Sequence, residues 1–138
     1  MPYTWQIRMC FQDTDAEGIV YHANYLKYAE RARTAWISDM GLNNRDIMAG
    51  GMMLVLRHLD MDFVSPARLD DILTIDVKIN EMKHASMTLT QTITCGDRVV
   101  AQIGMQLAFL STATLRPMRM PDDMKKLFTT YQLTQGEN

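Results

Sequence analysis

Residues Phe11–Arg33, FQDTDAEGIVYHANYLKYAERAR, pass from a strand end through an acidic turn into a long aromatic helix. Asp13, Asp15, Glu17 and Gly18 form the turn. Two carboxylates and His22 stand just before the helix, which starts within His22–Asn24. Backbone N–H groups at a helix start have no intrahelical partners and attract negative charge, so the position suits an anion or a charge-developing transition state. Tyr25, Tyr28, Ala29, Ala32, Trp36 and Met40 recur at helical spacing, and Leu26, Ala35 and Ile37 widen the apolar face. Glu30 and Arg33 are expected to pair one turn apart on the polar side. Gly41 is the expected C-cap, which makes the helix roughly 18 residues long.

Outward from this helix the chain reads as strands. Tyr3, Trp5, Ile7, Met9 and Phe11 alternate with polar residues over 3–12, the signature of a half-buried strand. Residues 41–51 read as a loop with one short helical turn. A second strand starts at Met53, with Val55, Leu59, Met61 and Phe63 inward and His58, Asp60 and Asp62 outward. Ser65-Pro66 ends it, since proline cannot donate to a ladder. Leu73, Ile75, Val77 and Ile79 make a third strand, and Met87, Leu89 and Ile93 a fourth. After a Gly96-Asp97 turn, Val99, Ala101, Ile103, Met105, Leu107 and Phe109 share one face of a fifth. Short connections at 80–85 and 96–97 make strands three to five an antiparallel meander. A tail with Pro117 and Pro121 carries a short helical signal over 122–131. The expected architecture is one α+β domain, core about 3–112, with a five-stranded antiparallel sheet wrapped around one long central helix. A single helix covers such a sheet poorly and leaves edges open, so a homodimer or homotetramer is expected.

Composition limits the function classes. The chain has 138 residues, enough for one domain with a core. Its net charge of −2 and lack of a basic run give no reason to expect nucleic-acid binding. No apolar run approaches the roughly 20 residues of a membrane span, and no signal-peptide core is present, so a cytoplasmic location is expected. Cys10 and Cys95 have neither metal-ligand spacing nor a disulfide framework, which fits a reducing compartment. No metal and no organic cofactor is expected. The 13 methionines read mainly as adaptable core filler.

The stretch DTDAEGIVYHANYLKYAERAR (13–33), with SPARLDD (65–71), EMKHAS (81–86) and RPMRMP (116–121), resembles the hot-dog-fold acyl-CoA thioesterases of the 4-hydroxybenzoyl-CoA thioesterase type. The pattern is most similar to their YbgC-type, Tol–Pal-associated subgroup and extends over residues 5–130. The resemblance implies the hot-dog fold and hydrolysis of an acyl or aroyl thioester to free acid and thiol. It places the catalytic carboxylate on Asp15 and the oxyanion-binding helix-start amide on His22, whose imidazole the subgroup shares. Gly18, Tyr21 and Tyr25 are the expected substrate contacts beside them. Lys83 and His84 fall where benzoyl-type relatives meet the nucleotide end of coenzyme A. The carrier implied is coenzyme A, or acyl carrier protein. Glu17 departs from the small residue usual in that pattern.

Each residue has a plainer reading. Asp15 can be a turn aspartate capping loop amides; Asp13 is better read as a structural turn residue than as a catalyst. The His22 ring can pack at a subunit seam, His58 reads as surface, and the tyrosines of the helix read first as core. Two other functions stay open: a hot-dog hydratase–dehydratase acting on enoyl or hydroxyacyl thioesters, and a non-catalytic acyl-binding partner of an envelope or lipid-synthesis complex.

Overall fold

Alternation of apolar and polar side chains sets the sheet. The computed structural model of the chain describes residues 2–136. Its strands β1 (Tyr3–Arg8), β2 (Met52–Phe63), β3 (Ile72–Met82), β4 (Ser86–Cys95) and β5 (Arg98–Ser111) form one antiparallel sheet in the order β1-β3-β4-β5-β2. The inward residues expected on β3 and β4 are all buried, as are Ala101, Ile103, Met105, Leu107 and Phe109 of β5. Against them α1 (Asn24–Asp39) buries Tyr25, Tyr28, Ala29, Ala32, Trp36 and Ile37. This is the expected α+β hot-dog arrangement. The loop's helical turn is α2 (Asn44–Ala49), capped by the Asn43 side chain, which accepts the Asp46 N–H at 2.8 Å. The tail helix α3 (Asp122–Thr134) is longer than its sequence signal and adds Met124 and Phe128 to the core.

Four expectations are corrected. The first strand ends at Arg8, and Phe11 is 80% exposed in a 3-10 turn over Phe11–Asp13. The Asp13 carboxylate accepts the Cys10 N–H at 2.7 Å and curls the chain out of the sheet. On β2 a bulge between Leu56 and His58 shifts the phase, so Leu54 faces the core opposite Phe109 and Val55 pairs with Ala108 on the other face. A register shift at Ile93/Thr94 likewise puts Val100 inside and leaves Val99 outside. Arg33 does not pair with Glu30 on the polar side. It is buried and donates from Nη1 to the Gln91 side-chain oxygen at 2.9 Å and to the Met105 sulfur at 3.2 Å. Gln91, wholly buried at an inward position of β4, also donates to the Ala29 carbonyl at 2.9 Å.

The two sheet edges differ. β1 pairs with β3 only as far as Tyr3↔Val77. Beyond it, Gln135 takes over as a surrogate strand: its oxygen accepts the Ile79 N–H and its amide donates to the Ile79 carbonyl, both at 2.9 Å. The Tyr131 hydroxyl accepts the Tyr3 N–H at 2.7 Å and donates to the Val77 carbonyl. Neither β1 nor, at the other edge, the twelve-residue β2 has a strand partner on its outer side among the described residues.

Candidate active site

The acidic turn folds as a miniature hairpin. The Tyr21 N–H donates to the Asp13 carbonyl at 3.0 Å, Thr14 bridges Val20, and the Asp15 N–H donates to the Ile19 carbonyl at 2.8 Å. Gly18 closes the tip with φ +78°, a left-handed conformation that favours glycine, and its N–H donates to the Asp15 carbonyl at 3.0 Å. The base of this hairpin is clamped to α1. Asp13 accepts the Tyr28 hydroxyl at 2.7 Å and, on its other oxygen, the Cys10 N–H; its carbonyl also accepts the Asn24 side-chain amide at 3.0 Å. Partial burial pushes the Asp13 carboxyl up, but the Cys10 and Tyr28 hydrogen bonds outweigh it and hold the group below its ordinary value. Burial, and then the Asp13 contact, push the Tyr28 hydroxyl up.

Asp15 sits at the exposed end of the same hairpin. Its Oδ1 accepts the Glu17 N–H at 2.9 Å and the Ile19 N–H at 3.3 Å. These bonds fix the carboxylate's orientation, and its other oxygen carries no bond among the described residues. The turn-capping reading and the catalytic reading therefore coexist in one side chain. At the base of the hairpin α1 starts with Ala23 as N-cap and no side-chain cap. The Asn24 and Tyr25 amides are taken by the Tyr21 and His22 carbonyls. Among the described residues no backbone acceptor takes the His22 N–H, so that donor is available to an anion.

Beside the helix start lies an open pocket of about 270 Å³ lined by Ile19, Val20, His22, Tyr25, Phe63, Val64, Ser65 and Pro66. The His22 and Phe63 rings meet edge to face at 5.9 Å, and Tyr25 lies 6.1 Å from Phe63. Exposed Tyr21 tilts against His22 at 4.6 Å on the rim. The SPARLDD segment holds this wall in place. The Ala67 N–H donates to the Tyr25 hydroxyl at 3.1 Å, and the Val20 N–H to the Ala67 carbonyl at 2.8 Å. Arg98 staples the segment through the Ser65 hydroxyl (2.9 Å), the Pro66 carbonyl (2.6 Å) and Asp71 (3.3 Å).

The chain thus brings Asp15, Gly18, Tyr21, His22 and Tyr25 to one end of the molecule. Lys83 and His84 lie elsewhere, in the β3–β4 turn. β3 runs 11 residues from the acidic-hairpin end to that turn, roughly 33 Å at the rise of an extended strand. There Lys83 pairs with Glu81 at 3.7 Å, and the His84 carbonyl accepts the Met120 N–H. Sequence reading missed Tyr28 as the partner of Asp13, Phe63 as a pocket wall and Arg98 as the staple. Only the SPARLDD segment gave a local signal for any of these. His58 is exposed, as expected. No grouping of three or more potential metal ligands occurs among the described residues. Among them, no helix is long and apolar enough to cross a membrane.

An anchored carboxylate with a free oxygen, an unpartnered helix-start amide and an apolar pocket are the parts an acyl-transfer site needs. A family model described as the thioesterase-like superfamily matches residues 10–128. The acyl-CoA thioester hydrolase YbgC of Escherichia coli is 38% identical over 91 residues, 66% of this chain and 68% of that protein. The acyl-CoA thioesterase YbgC of Helicobacter pylori is 32% identical over 129 residues, covering 87% and 95%. Among solved structures, a probable thioesterase from Bartonella henselae superposes with a TM-score of 0.81 at 32% identity, covering 88% of this chain and all of that one. The chain belongs to the thioesterase-like superfamily and has its hot-dog fold.

Proposed function

We propose that the protein is an acyl-CoA thioesterase, hydrolysing an acyl or aroyl thioester to free acid and coenzyme A. The observation that carries this reading is the Asp15 carboxylate, held through one oxygen by two amides and open at the other, in a chain of this family. In the proposed mechanism the thioester carbonyl lies against the His22 N–H, which stabilises the oxyanion of the tetrahedral intermediate. Asp15 either removes a proton from the attacking water or attacks first and forms an anhydride that water then opens. The intermediate collapses with loss of the thiolate of coenzyme A, which is reprotonated. Gly18 lets the hairpin tip turn tightly, while Tyr21 and Tyr25 frame the acyl end beside His22.

Lys83 and His84 fit this scheme only across a subunit seam, because their turn is too far from Asp15 of the same chain. The uncovered edge of β2 supports the same homo-oligomer, with the active site at the seam. The test is a thiol-release assay over acyl-CoA chain lengths, aryl-CoA thioesters and acyl carrier protein thioesters. Stoichiometric release of thiol and acid is expected. Loss of crotonyl-CoA absorbance without thiol release would assign a hydratase instead. Tight binding without turnover would assign an acyl-binding module.

A further inference from the structure

One wall of the pocket beside His22 is held by a side chain that does not line it. Past Phe63 the chain leaves the sheet, and the Val64 and Ser65 N–H groups both donate to the Val100 carbonyl. Pro66, the next residue, has no N–H with which to hold itself in place. Its carbonyl accepts Arg98 Nη1 at 2.6 Å, and the same nitrogen donates to the Ser65 hydroxyl at 2.9 Å. That hydroxyl in turn donates to the Val99 carbonyl at 2.6 Å. From Nη2, Arg98 reaches the Asp71 carboxylate at 3.3 Å, and the Asp71 carbonyl accepts the Met9 N–H at 2.8 Å. One guanidinium therefore ties the corner at Ser65 and Pro66 to the segment that meets the root of the acidic hairpin.

This grip acts on the pocket more than on global stability. The Arg98 side chain is 43% exposed and that of Asp71 25%, so their attraction is screened by water and adds little to folding. What the grip fixes is local: Ser65 and Pro66 line the pocket together with Phe63, whose ring meets His22. The groups proposed to act on the thioester carbonyl have anchors of their own. The Glu17 and Ile19 amides set the Asp15 carboxylate, while Tyr28 and Asn24 clamp the hairpin to α1. Loss of Arg98 thus frees the acyl-facing wall and leaves Asp15 and the His22 N–H where they are.

We propose that Arg98 is a positioning residue for acyl-group selectivity. Its two-armed grip sets how closely the 63–66 wall approaches His22 and Tyr25. The inference rests on the thioesterase reading above and deepens it. The wall meets acyl carbons beyond the carbonyl, which an octanoyl or benzoyl group supplies and an acetyl group lacks. Contacts worth one or two methylenes change discrimination about tenfold.

The experiment measures kcat and KM of the intact protein for acetyl-, octanoyl- and benzoyl-CoA by thiol release. Arg98→Gln should shift the kcat/KM ratio of each larger substrate to acetyl-CoA about tenfold toward unity, mainly through KM. Acetyl-CoA kinetics and Tm should stay nearly unchanged. Arg98→Lys keeps the charge, but a single ammonium cannot hold Pro66 and Asp71 together, so the same shift is expected. It also serves as the test if Arg98→Gln does not fold. Equal losses for all three substrates would make Arg98 a residue of general stability, which overturns the inference and leaves the thioesterase reading intact. Native selectivity in Arg98→Lys, or a native enzyme that does not distinguish the three acyl groups, overturns it as well. No thiol release from any substrate by the native protein overturns the thioesterase reading, and the inference falls with it.

Discussion

Asp13 and Asp15 stand two residues apart in one hairpin, and their hydrogen-bond partners divide their roles. Asp15 keeps one oxygen open, so its amide isostere removes chemistry without removing volume. Asp15→Asn is expected to retain the fold and lower kcat by at least ~100-fold, the scale of one positioned acid–base or nucleophilic group. Asp13→Asn should cost clearly less in kcat. Equal losses in the two variants, or near-normal turnover of Asp15→Asn at an unchanged Tm, would remove Asp15 from the mechanism. Asp13 instead bears on stability. Its carboxyl is held below its ordinary value, so its contribution is full above the unfolded-state pKa and is lost as pH falls through the lower folded value. Tyr28→Phe deletes a buried donor to that charge and should cost about 1–3 kcal/mol near neutral pH. The Tm gap between native and Tyr28→Phe protein should then narrow in acid, below about pH 4, as Asp13 is protonated in both. A gap of constant size across the whole pH range would mean that the hydroxyl does not act through the Asp13 charge.

At the scale of elements, α1 is joined to the sheet by more than apolar packing. Gln91 connects Arg33 to the Ala29 carbonyl and lies wholly inside. Gln91→Leu is nearly volume-conserving but takes the oxygen acceptor from the Arg33 guanidinium, so we expect a loss of about 1–3 kcal/mol in denaturant midpoint analysis. A variant as stable as the native chain would show that water already satisfies the guanidinium. Gln91 also marks how far the sequence was legible. It occupies the inward slot between Leu89 and Ile93, a detectable anomaly, whereas Arg33 on a helix reads as an ordinary solvated charge. The β3–β4–β5 meander could be read directly because period-2 alternation is uninterrupted over most of its length. Val55 and Val99 were placed on the wrong face because a one-residue bulge leaves no compositional trace yet inverts every side chain beyond it. Asp15 and His22 stood out first as a carboxylate and a histidine beside a helix start, and only the family motif favoured Asp15 as catalyst over a turn cap. The Tyr28–Asp13 contact and the Arg98 staple join residues 15 and 27–33 positions apart, beyond any local pattern.

For the whole molecule, the decisive length is that of β3. It separates the β3–β4 turn from the acidic hairpin by roughly 33 Å, so Lys83 can serve Asp15 only if the two belong to different subunits. β1 and β2 are both edge strands, but β1 has six residues and is extended along β3 only by Gln135 and Tyr131, while β2 offers twelve residues for pairing, so association should proceed through β2. A contact between Lys83 and the nucleotide phosphates would be remote from the reacting carbonyl and equal in ground and transition states. Lys83→Ala should therefore raise KM for acyl-CoA about three- to ten-fold with kcat nearly unchanged, and less at high salt. Hydrolysis of the same acyl group on N-acetylcysteamine, which lacks phosphates, should be unaffected. Mixed oligomers decide the seam. Combine an Asp15→Asn chain that keeps Lys83 with a Lys83→Ala chain that keeps Asp15. If the site is shared, the one competent site in the heterodimer joins both native residues, and its KM is that of the native protein. If each chain is self-sufficient, the only active Asp15 sits with the substituted turn, and KM stays raised. Kinetics of the purified heterodimer therefore distinguish the two arrangements: a raised KM there would place Lys83 beside the Asp15 of its own chain and remove the shared seam, whereas an unchanged KM in the Lys83→Ala homo-oligomer would make Lys83 a solvated turn residue.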